Sequence, residues 1–186
     1  MTKHTVKTEE DVLKAFESES RAKWTYRAFA DKAEQQGNVN IAKLFRAVAE
    51  AEQIHAESLK NALQETSRAT NELWAAGLYD PKIVRDSIKE NLQEAVAESS
   101  ALSQMYKQMI TDAEQDGWSF AKQCFTYAGT VDEAHAQLFK KFLDNPDVKA
   151  SAAYYICNGC GNTRDAEPTG SCNVCGSSES AFKVFR

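Results

Sequence analysis

Two short stretches carry residue types that can hold a metal ion. In AEAEQIHAE (residues 49–57) Glu52 precedes His55 by three positions, and in GTVDEAHAQ (residues 129–137) Asp132 precedes His135 by the same step. Positions i and i+3 share one face of an α-helix, so each carboxylate–imidazole pair can address a single ion. One such pair on a Glu-rich helix is commonly a solvated surface. Two pairs exactly 80 residues apart, each matched by an upstream carboxylate and tyrosine, are a different matter. Glu19 stands seven residues before Tyr26, and Glu98 eight before Tyr106. Glu19, Glu52, His55, Glu98, Asp132 and His135 together offer four carboxylates and two imidazoles, a donor set suited to two ions such as iron or manganese. Tyr26 and Tyr106 are placed to hydrogen-bond those carboxylates and fix their orientation.

A second cluster lies near the end of the chain. YYICNGCGNTRDAEPTGSCNVCG contains Cys157-x-x-Cys160 and Cys172-x-x-Cys175, with 11 residues between the pairs and a glycine after each. Four thiolates at this spacing form a tetrahedral site, filled by zinc as a structural clip or by iron as a one-electron carrier. Spacing alone favours zinc. Cys124, in a helical pattern far from the others, reads as a small buried apolar residue.

Positioning the first cluster requires four rods. Residues 8–144 are rich in Ala, Glu, Gln, Lys and Leu with Pro81 as their one proline, which predicts long helices. Breaks at QQGN (35–38), at the polar stretch 66–81, at QDGW (115–118) and at DNPD (144–147) leave helices over about 8–36, 38–66, 81–115 and 117–144. Two tight turns and one longer connection predict two helical hairpins joined by a crossover, an all-α four-helix bundle. The hairpins repeat: Tyr26 to Leu63 matches Tyr106 to Leu143 at an offset of 80, including Gly37 with Gly117 and Phe45 with Phe125. This internal twofold lets the two carboxylate–histidine pairs face each other. The cysteine-bearing tail is too short for an ordinary core and must be stapled by its metal.

Composition narrows the function. The 186 residues are 42% hydrophobic and 26% charged with a formal charge of −5, and acids and bases are interspersed. No basic patch suits nucleic acid, no apolar run suits a membrane span, and the opening residues lack a secretory apolar stretch, so a cytoplasmic location is expected.

A duplicated carboxylate-x-x-His bundle followed by a four-Cys tail resembles the rubrerythrin family. AFESESRAKWTYRAFADKAEQQG, LFRAVAEAEQIHAESL, ALSQMYKQMITDAEQDG, EAHAQLFKKFL and YYICNGCGNT…CNVCG carry the likeness. The resemblance implies a ferritin-like diiron domain over 1–148 and a rubredoxin-like domain over 153–186, and it moves the tail metal from zinc towards iron. It further implies an oxidative-stress peroxidase that reduces hydrogen peroxide to water, with Glu52 and Asp132 bridging the metals, His55 and His135 terminal, and Glu19 and Glu98 chelating or bridging. Electrons would enter through the iron of Cys157, Cys160, Cys172 and Cys175. The chain has no nucleotide-binding glycine loop, so an external reductase would supply them. A head-to-tail homodimer, with one chain's tail against another's bundle, is also implied.

Two positions depart from the family pattern. Its third-helix Glu-x-x-Glu reads Glu98-Ser-Ser-Ala101 here, and its fourth-helix Glu-x-x-His begins with the shorter Asp132. The third helix also runs one residue short before Glu98, which opens a register shift with Glu94 and Glu133 as alternative ligands. The missing carboxylate at Ala101 favours a second reading, a ferroxidase or iron-handling protein that oxidises Fe(II) with oxygen or peroxide. A third, a structural or sensing protein with a zinc clip, predicts a colourless product.

Overall fold

A computed structural model describes residues 6–64, 83–145 and 151–186. Helices α1 (Val6–Gln35), α2 (Val39–Gln64), α3 (Ile88–Gln115) and α4 (Ser119–Asp144) form a four-helix bundle. Helix α1 pairs with α2 and α3 with α4, while across the hairpins α1 meets α3 and α2 meets α4. The crossover expected over 66–81 lies outside the described residues.

The two hairpin turns are built alike. Gly37 and Gly117 take φ of 76° and 70°, where a Cβ would be strained. At the first turn Asn38 N–H reaches Ala33 O at 2.9 Å, and at the second Trp118 N–H reaches Ala113 O at 2.9 Å. Each bond satisfies a carbonyl that the ending helix leaves without a partner.

The third helix starts later than the expected residue 81. Its first residue is Ile88, and the Ser87 side chain accepts from Glu90 N–H as an N-cap. Upstream, the Asn91 side-chain amide donates to Arg85 O at 3.0 Å and accepts from Arg85 N–H at 2.8 Å. These bonds hold the chain before Ser87 in a non-helical path, which propensity counting does not see.

The core lies between the helices. Tyr26, Phe29, Phe45 and Phe139 are fully buried and mutually packed, with ring centroids 5.2 Å apart for Tyr26–Phe139 and 5.3 Å for Phe45–Phe139. Burying each such side chain contributes about 1.5–3 kcal/mol. Twin residues share this role: Tyr106 packs on Phe125 at 5.7 Å. Gly129 of α4 lies where any larger residue would collide, since a Cβ there would sit 2.9 Å from the Tyr106 Cβ.

After the bundle, β1 (Tyr154–Cys157), β2 (Thr163–Arg164) and β3 (Phe182–Phe185) form an antiparallel sheet in the order β2-β1-β3. Tyr154 and Ile156 of β1 are fully buried and join the bundle core. Ion pairs edge the junction, with Lys183 to Glu50 at 2.7 Å and Lys141 to Asp165 at 2.6 Å. Lys43 also donates to Ala152 O at 3.0 Å.

The close approach of α4 to Tyr106 has a measurable consequence. Gly129→Ala overpacks this crossing and should destabilise the chain by about 1–3 kcal/mol. Urea unfolding followed by circular dichroism reads this as a lower midpoint at unchanged slope, and an unchanged midpoint would refute the packing argument.

Candidate metal centre

The buried interior of the bundle is polar at its middle. Glu19 from α1, Glu52 and His55 from α2, and Asp132 and His135 from α4 are all essentially inaccessible to solvent. Ligand atoms of Glu19, Glu52, His55 and Asp132 lie within 4.8 Å of one another. The i, i+3 spacing puts each histidine above its carboxylate on the inner face of its helix.

Glu52 spans the two histidines. Its Oε2 lies 2.8 Å from His55 Nδ1, and its Oε1 lies 3.1 Å from His135 Nδ1. Asp132 Oδ1 lies 3.9 Å from His55 Nδ1 and 3.8 Å from His135 Nδ1. Glu19 Oε2 lies 3.5 Å from His55 Nδ1. The imidazole rings sit 6.1 Å apart and nearly parallel. Glu52 and Asp132 thus both lie between the two imidazoles.

Both histidines are held by the tail. His55 Nε2 lies 3.0 Å from Cys160 O, and a carbonyl can only accept, so Nε2 carries a proton and donates. His135 Nε2 lies 3.2 Å from Thr163 Oγ1, whose own hydroxyl donates to Gly161 O at 3.0 Å. The Thr163 oxygen therefore accepts from His135. Outer partners on both Nε2 atoms leave each Nδ1 directed at the carboxylates, as metal-ligating histidines require.

Several of these inner atoms have no hydrogen bond. Glu19 Oε2, Glu52 Oε2, His55 Nδ1 and both oxygens of Asp132 are buried without a partner, although His55 Nδ1 and Glu52 Oε2 are close. Leaving a charged group so placed is costly. Two ions in the middle would satisfy all of these atoms, so the residues fit a dinuclear iron centre.

Protons do part of that work in the metal-free chain. Burial pushes Glu19 and Asp132 upward, and for Asp132 the charges of Glu19 and Glu52 add to the effect. Burial would raise Glu52 as well, but His135 and His55 outweigh it and bring it down to about 2. Burial would lower His135, but the charges of Glu52 and Asp132 and the hydrogen bond with Glu52 lift it to about 9.

The third helix differs from expectation. Its inner line is Ala95, Ser99, Leu102 and Tyr106, all buried, matching Ala15, Glu19, Ala22 and Tyr26 of α1 at the 80-residue offset. Ser99 thus occupies the place that corresponds to Glu19. Glu98 lies one step aside and half-buried, outside the group of close ligand atoms, with Oε2 buried and unpartnered. Burial, opposed by Arg21 and reinforced by Glu52, Glu19 and Glu94, brings Glu98 up to about 7. Ala101 and Glu133 are exposed, and Glu94 is half-buried; neither acidic residue joins the group. The tyrosines divide accordingly. Tyr106 donates a short hydrogen bond to Glu19 Oε1, whereas the Tyr26 hydroxyl meets Ser99 Oγ at 2.9 Å rather than a carboxylate. Ser99 was legible in the repeat as the partner of Glu19; Thr163 and the Cys160 carbonyl had no comparable sequence signal.

In the tail, the four sulfurs converge. Cys157 Sγ lies 3.6 Å from Cys175 Sγ, and Cys160 Sγ lies 3.6 Å from Cys172 Sγ. A tetrahedron with metal–sulfur bonds of about 2.3 Å has edges of about 3.8 Å, so the cluster fits one four-thiolate iron. Gly161 and Gly176 close the two knuckles at φ of 79° and 77°, donating to Cys157 O at 2.8 Å and Cys172 O at 2.9 Å. Burial raises the Cys157 thiol to about 11. Burial also opposes ionisation of Cys172, but backbone N–H groups of Cys175 and Val174 and the Asn162 amide bring it down to about 6. Gly161 presses on the bundle, and a Cβ there would lie 2.7 Å from His55 Nε2 and 3.1 Å from Ala51 O. A cavity of about 80 Å³ opens beside this junction, lined among others by His55, Cys124, Tyr127 and Cys160. Cys124 is buried, as its apolar reading expects.

Comparison with known proteins agrees with this geometry. The rubrerythrin family model matches residues 10–143. The chain is 31% identical to rubrerythrin-2 of Clostridium acetobutylicum over 182 residues, covering 92% of each. It is 29% identical to nigerythrin of Nitratidesulfovibrio vulgaris over 182 residues, covering 96% of this chain and 86% of that one. A solved structure of nigerythrin in a mixed-valence state superposes with a TM-score of 0.86 at 26% identity, over 99% of this chain and 90% of the other. A bacterioferritin from Rhodobacter capsulatus shares the fold of the bundle, with a TM-score of 0.69 at 20% identity over 77% of this chain and 87% of the other.

The proton and metal occupancies predict a pH dependence. His135, raised from 6.5 to about 9, stabilises the metal-free fold fully below pH 6.5 and loses that contribution as pH rises through 9. Glu52, lowered from 4.5 to about 2, contributes above pH 4.5 and loses its contribution as pH falls through 2. Metal-free protein should therefore be most stable between pH 4.5 and 6.5, and added manganese should raise its melting temperature more at pH 9 than at pH 6. Thermal scans of chelator-treated protein with and without Mn(II) test this; a metal gain independent of pH would contradict it.

Proposed function

The chain belongs to the rubrerythrin family, and from that premise we propose that it is a peroxide reductase whose bundle iron is recharged through the iron of its tail. The observation that carries this reading is the hydrogen bond from His55 to Cys160 O, which joins a residue of the bundle centre to a residue of the four-thiolate site. Electron entry needs such a short route between the two centres. Iron storage does not.

When bound, the iron pair supplies two electrons and Lewis acidity for cleaving the O–O bond of hydrogen peroxide, giving two waters once two protons are added. Glu52 and Asp132 would hold the pair, with His55 and His135 as further ligands whose Nδ1 atoms face those carboxylates. Glu19 is oriented by the Tyr106 hydroxyl, so its carboxylate keeps one geometry as charge at the centre changes. Glu98, half-buried beside the centre, would reach a metal there only if its side chain turned inward. Cys157, Cys160, Cys172 and Cys175 hold the entry iron. Cys160 passes its connection to His55 by the main-chain carbonyl. Electrons reach the tail from a separate reductase. The tail lies on its own bundle in this structure, and a head-to-tail homodimer would form the same junction between two copies.

The shortened ligand set supports a second reading. Ala101 lies on the exposed side of α3 and supplies no further carboxylate. A six-ligand centre of that kind suits oxidation of Fe(II) by oxygen or peroxide.

Colour separates the readings. Protein with iron in the tail should be red, bleach on anaerobic reduction, and recolour quickly with hydrogen peroxide and slowly with oxygen. Faster recolouring by oxygen selects the ferroxidase reading, and zinc in the tail removes electron entry. Gly161→Ala, which forces the tail away from His55, should keep the red colour but slow peroxide recolouring by at least roughly tenfold, the lower end of what displacing the outer partner of a ligating histidine costs. An unchanged rate would show that the His55–Cys160 junction carries no electrons. Sedimentation of the metal-loaded chain tests the dimer.

A further inference from the structure

Among the candidate donors and tyrosines at the bundle centre, the internal repeat pairs like with like except at one buried position. Tyr26 matches Tyr106, Glu52 matches Asp132 and His55 matches His135, all at an offset of 80. At the same offset Glu19 matches Ser99. Both are completely buried, on α1 and α3 respectively. Their tyrosine partners are also matched, with Tyr106 bonded to Glu19 and Tyr26 bonded to Ser99. One half of the centre thus places a carboxylate where the other half places a hydroxyl.

Glu98 does not repair this difference as the chain stands. Helix α3 is continuous from Ile88 to Gln115, and neighbouring residues on a helix point about 100° apart. Glu98 is therefore offset from the inward line that Ser99 holds: it is half-buried with Oε2 buried and unpartnered, and it stands outside the group of close ligand atoms. The consequence is visible in the distances. Glu19, Glu52, His55 and Asp132 already converge, whereas among the described residues His135 faces Glu52 and Asp132 with no further carboxylate in the close group.

We propose that Ser99 makes the two metal positions unequal: the position of Glu19 and His55 fills first and holds its ion tightly, and the position of His135 fills second and weakly. The physical cause is charge and denticity. The first position has a dedicated carboxylate besides the two shared ones. The second has only the shared carboxylates and one imidazole until Glu98 rotates inward or water completes it, and the first ion has by then claimed part of the shared negative charge. A stable one-ion state follows, and with it a site able to hold two different metals. This inference rests on the dinuclear centre described above and adds an order of filling to it.

Manganese titration of the full-length chain tests the proposal. The tail is first loaded with its own metal, the bundle is stripped with chelator, and Mn(II) is added while paramagnetic resonance follows free ion, isolated bound ion and spin-coupled pairs. Thiolates take manganese poorly, so the signal reports the bundle. The first equivalent should bind at least roughly tenfold tighter than the second, the lower bound for losing even an outer partner of a ligand. Isolated bound ion should dominate at one equivalent. Ser99→Glu should narrow the gap and bring in coupled pairs earlier. Ser99→Ala should leave the gap in place, because the hydroxyl is not the ligand that matters. Glu19→Ser, which makes the halves alike in the opposite sense, should leave two weak equivalents, so the proposal stays testable if Ser99→Glu fails to fold. Two equal steps in the unaltered chain, a gap untouched by Ser99→Glu, or a tight equivalent surviving in Glu19→Ser would overturn the inequality alone. Absence of any manganese binding would overturn the dinuclear centre with it.

Discussion

Carboxylates and imidazoles crowded into a dry interior are the constraint around which this protein is organised. Glu19, Glu52, Asp132, His55 and His135 stand where an ordinary bundle would place leucines. Burial penalises each charge separately, and only a dense set of opposite charges makes the arrangement tolerable. In the metal-free chain that compensation is a network of protons, with Glu52 ionised between two raised histidines. Metal ions complete it, because they satisfy the carboxylate oxygens that no hydrogen bond reaches.

The rest of the fold can be understood as support for that centre. Tyr26, Phe29, Phe45 and Phe139 pack together in the same solvent-inaccessible core. Gly129 lets α4 pass close to the Cβ of Tyr106, whose hydroxyl donates to Glu19. The tail contributes from outside. By accepting from His55 and His135 it sets which ring nitrogen faces inward, so the small four-Cys unit shapes the bundle site as well as carrying its own ion. Two metal sites that are distant in sequence are thereby mechanically one object.

Much of this was readable from residue order. The duplicated carboxylate-x-x-His pairs, the two Cys-x-x-Cys-Gly knuckles and the glycine turns all depend on local spacing, and the structure realises each. The helix pattern was less reliable at the start of α3, where Asn91 ties back to Arg85 and delays the helix to Ile88. Glu98 is the carboxylate that residue type offers on α3, whereas the repeat pairs Ser99 with Glu19. Residue type and register point to neighbouring positions here, and register decides where a helical side chain points.

The sequence by itself determined the helical hairpins, their duplication and the donor types available for metal, since these follow from short-range periodicity and composition. Only the tertiary structure decided which donors converge, that Tyr26 meets a serine while Tyr106 meets a glutamate, and that Cys160 and Thr163 cap the outer nitrogens of His55 and His135. Those outcomes turn on the rotation of α3 about its axis and on the seating of the tail against α2 and α4. Both are set by packing among residues far apart in the chain, which no local spacing encodes.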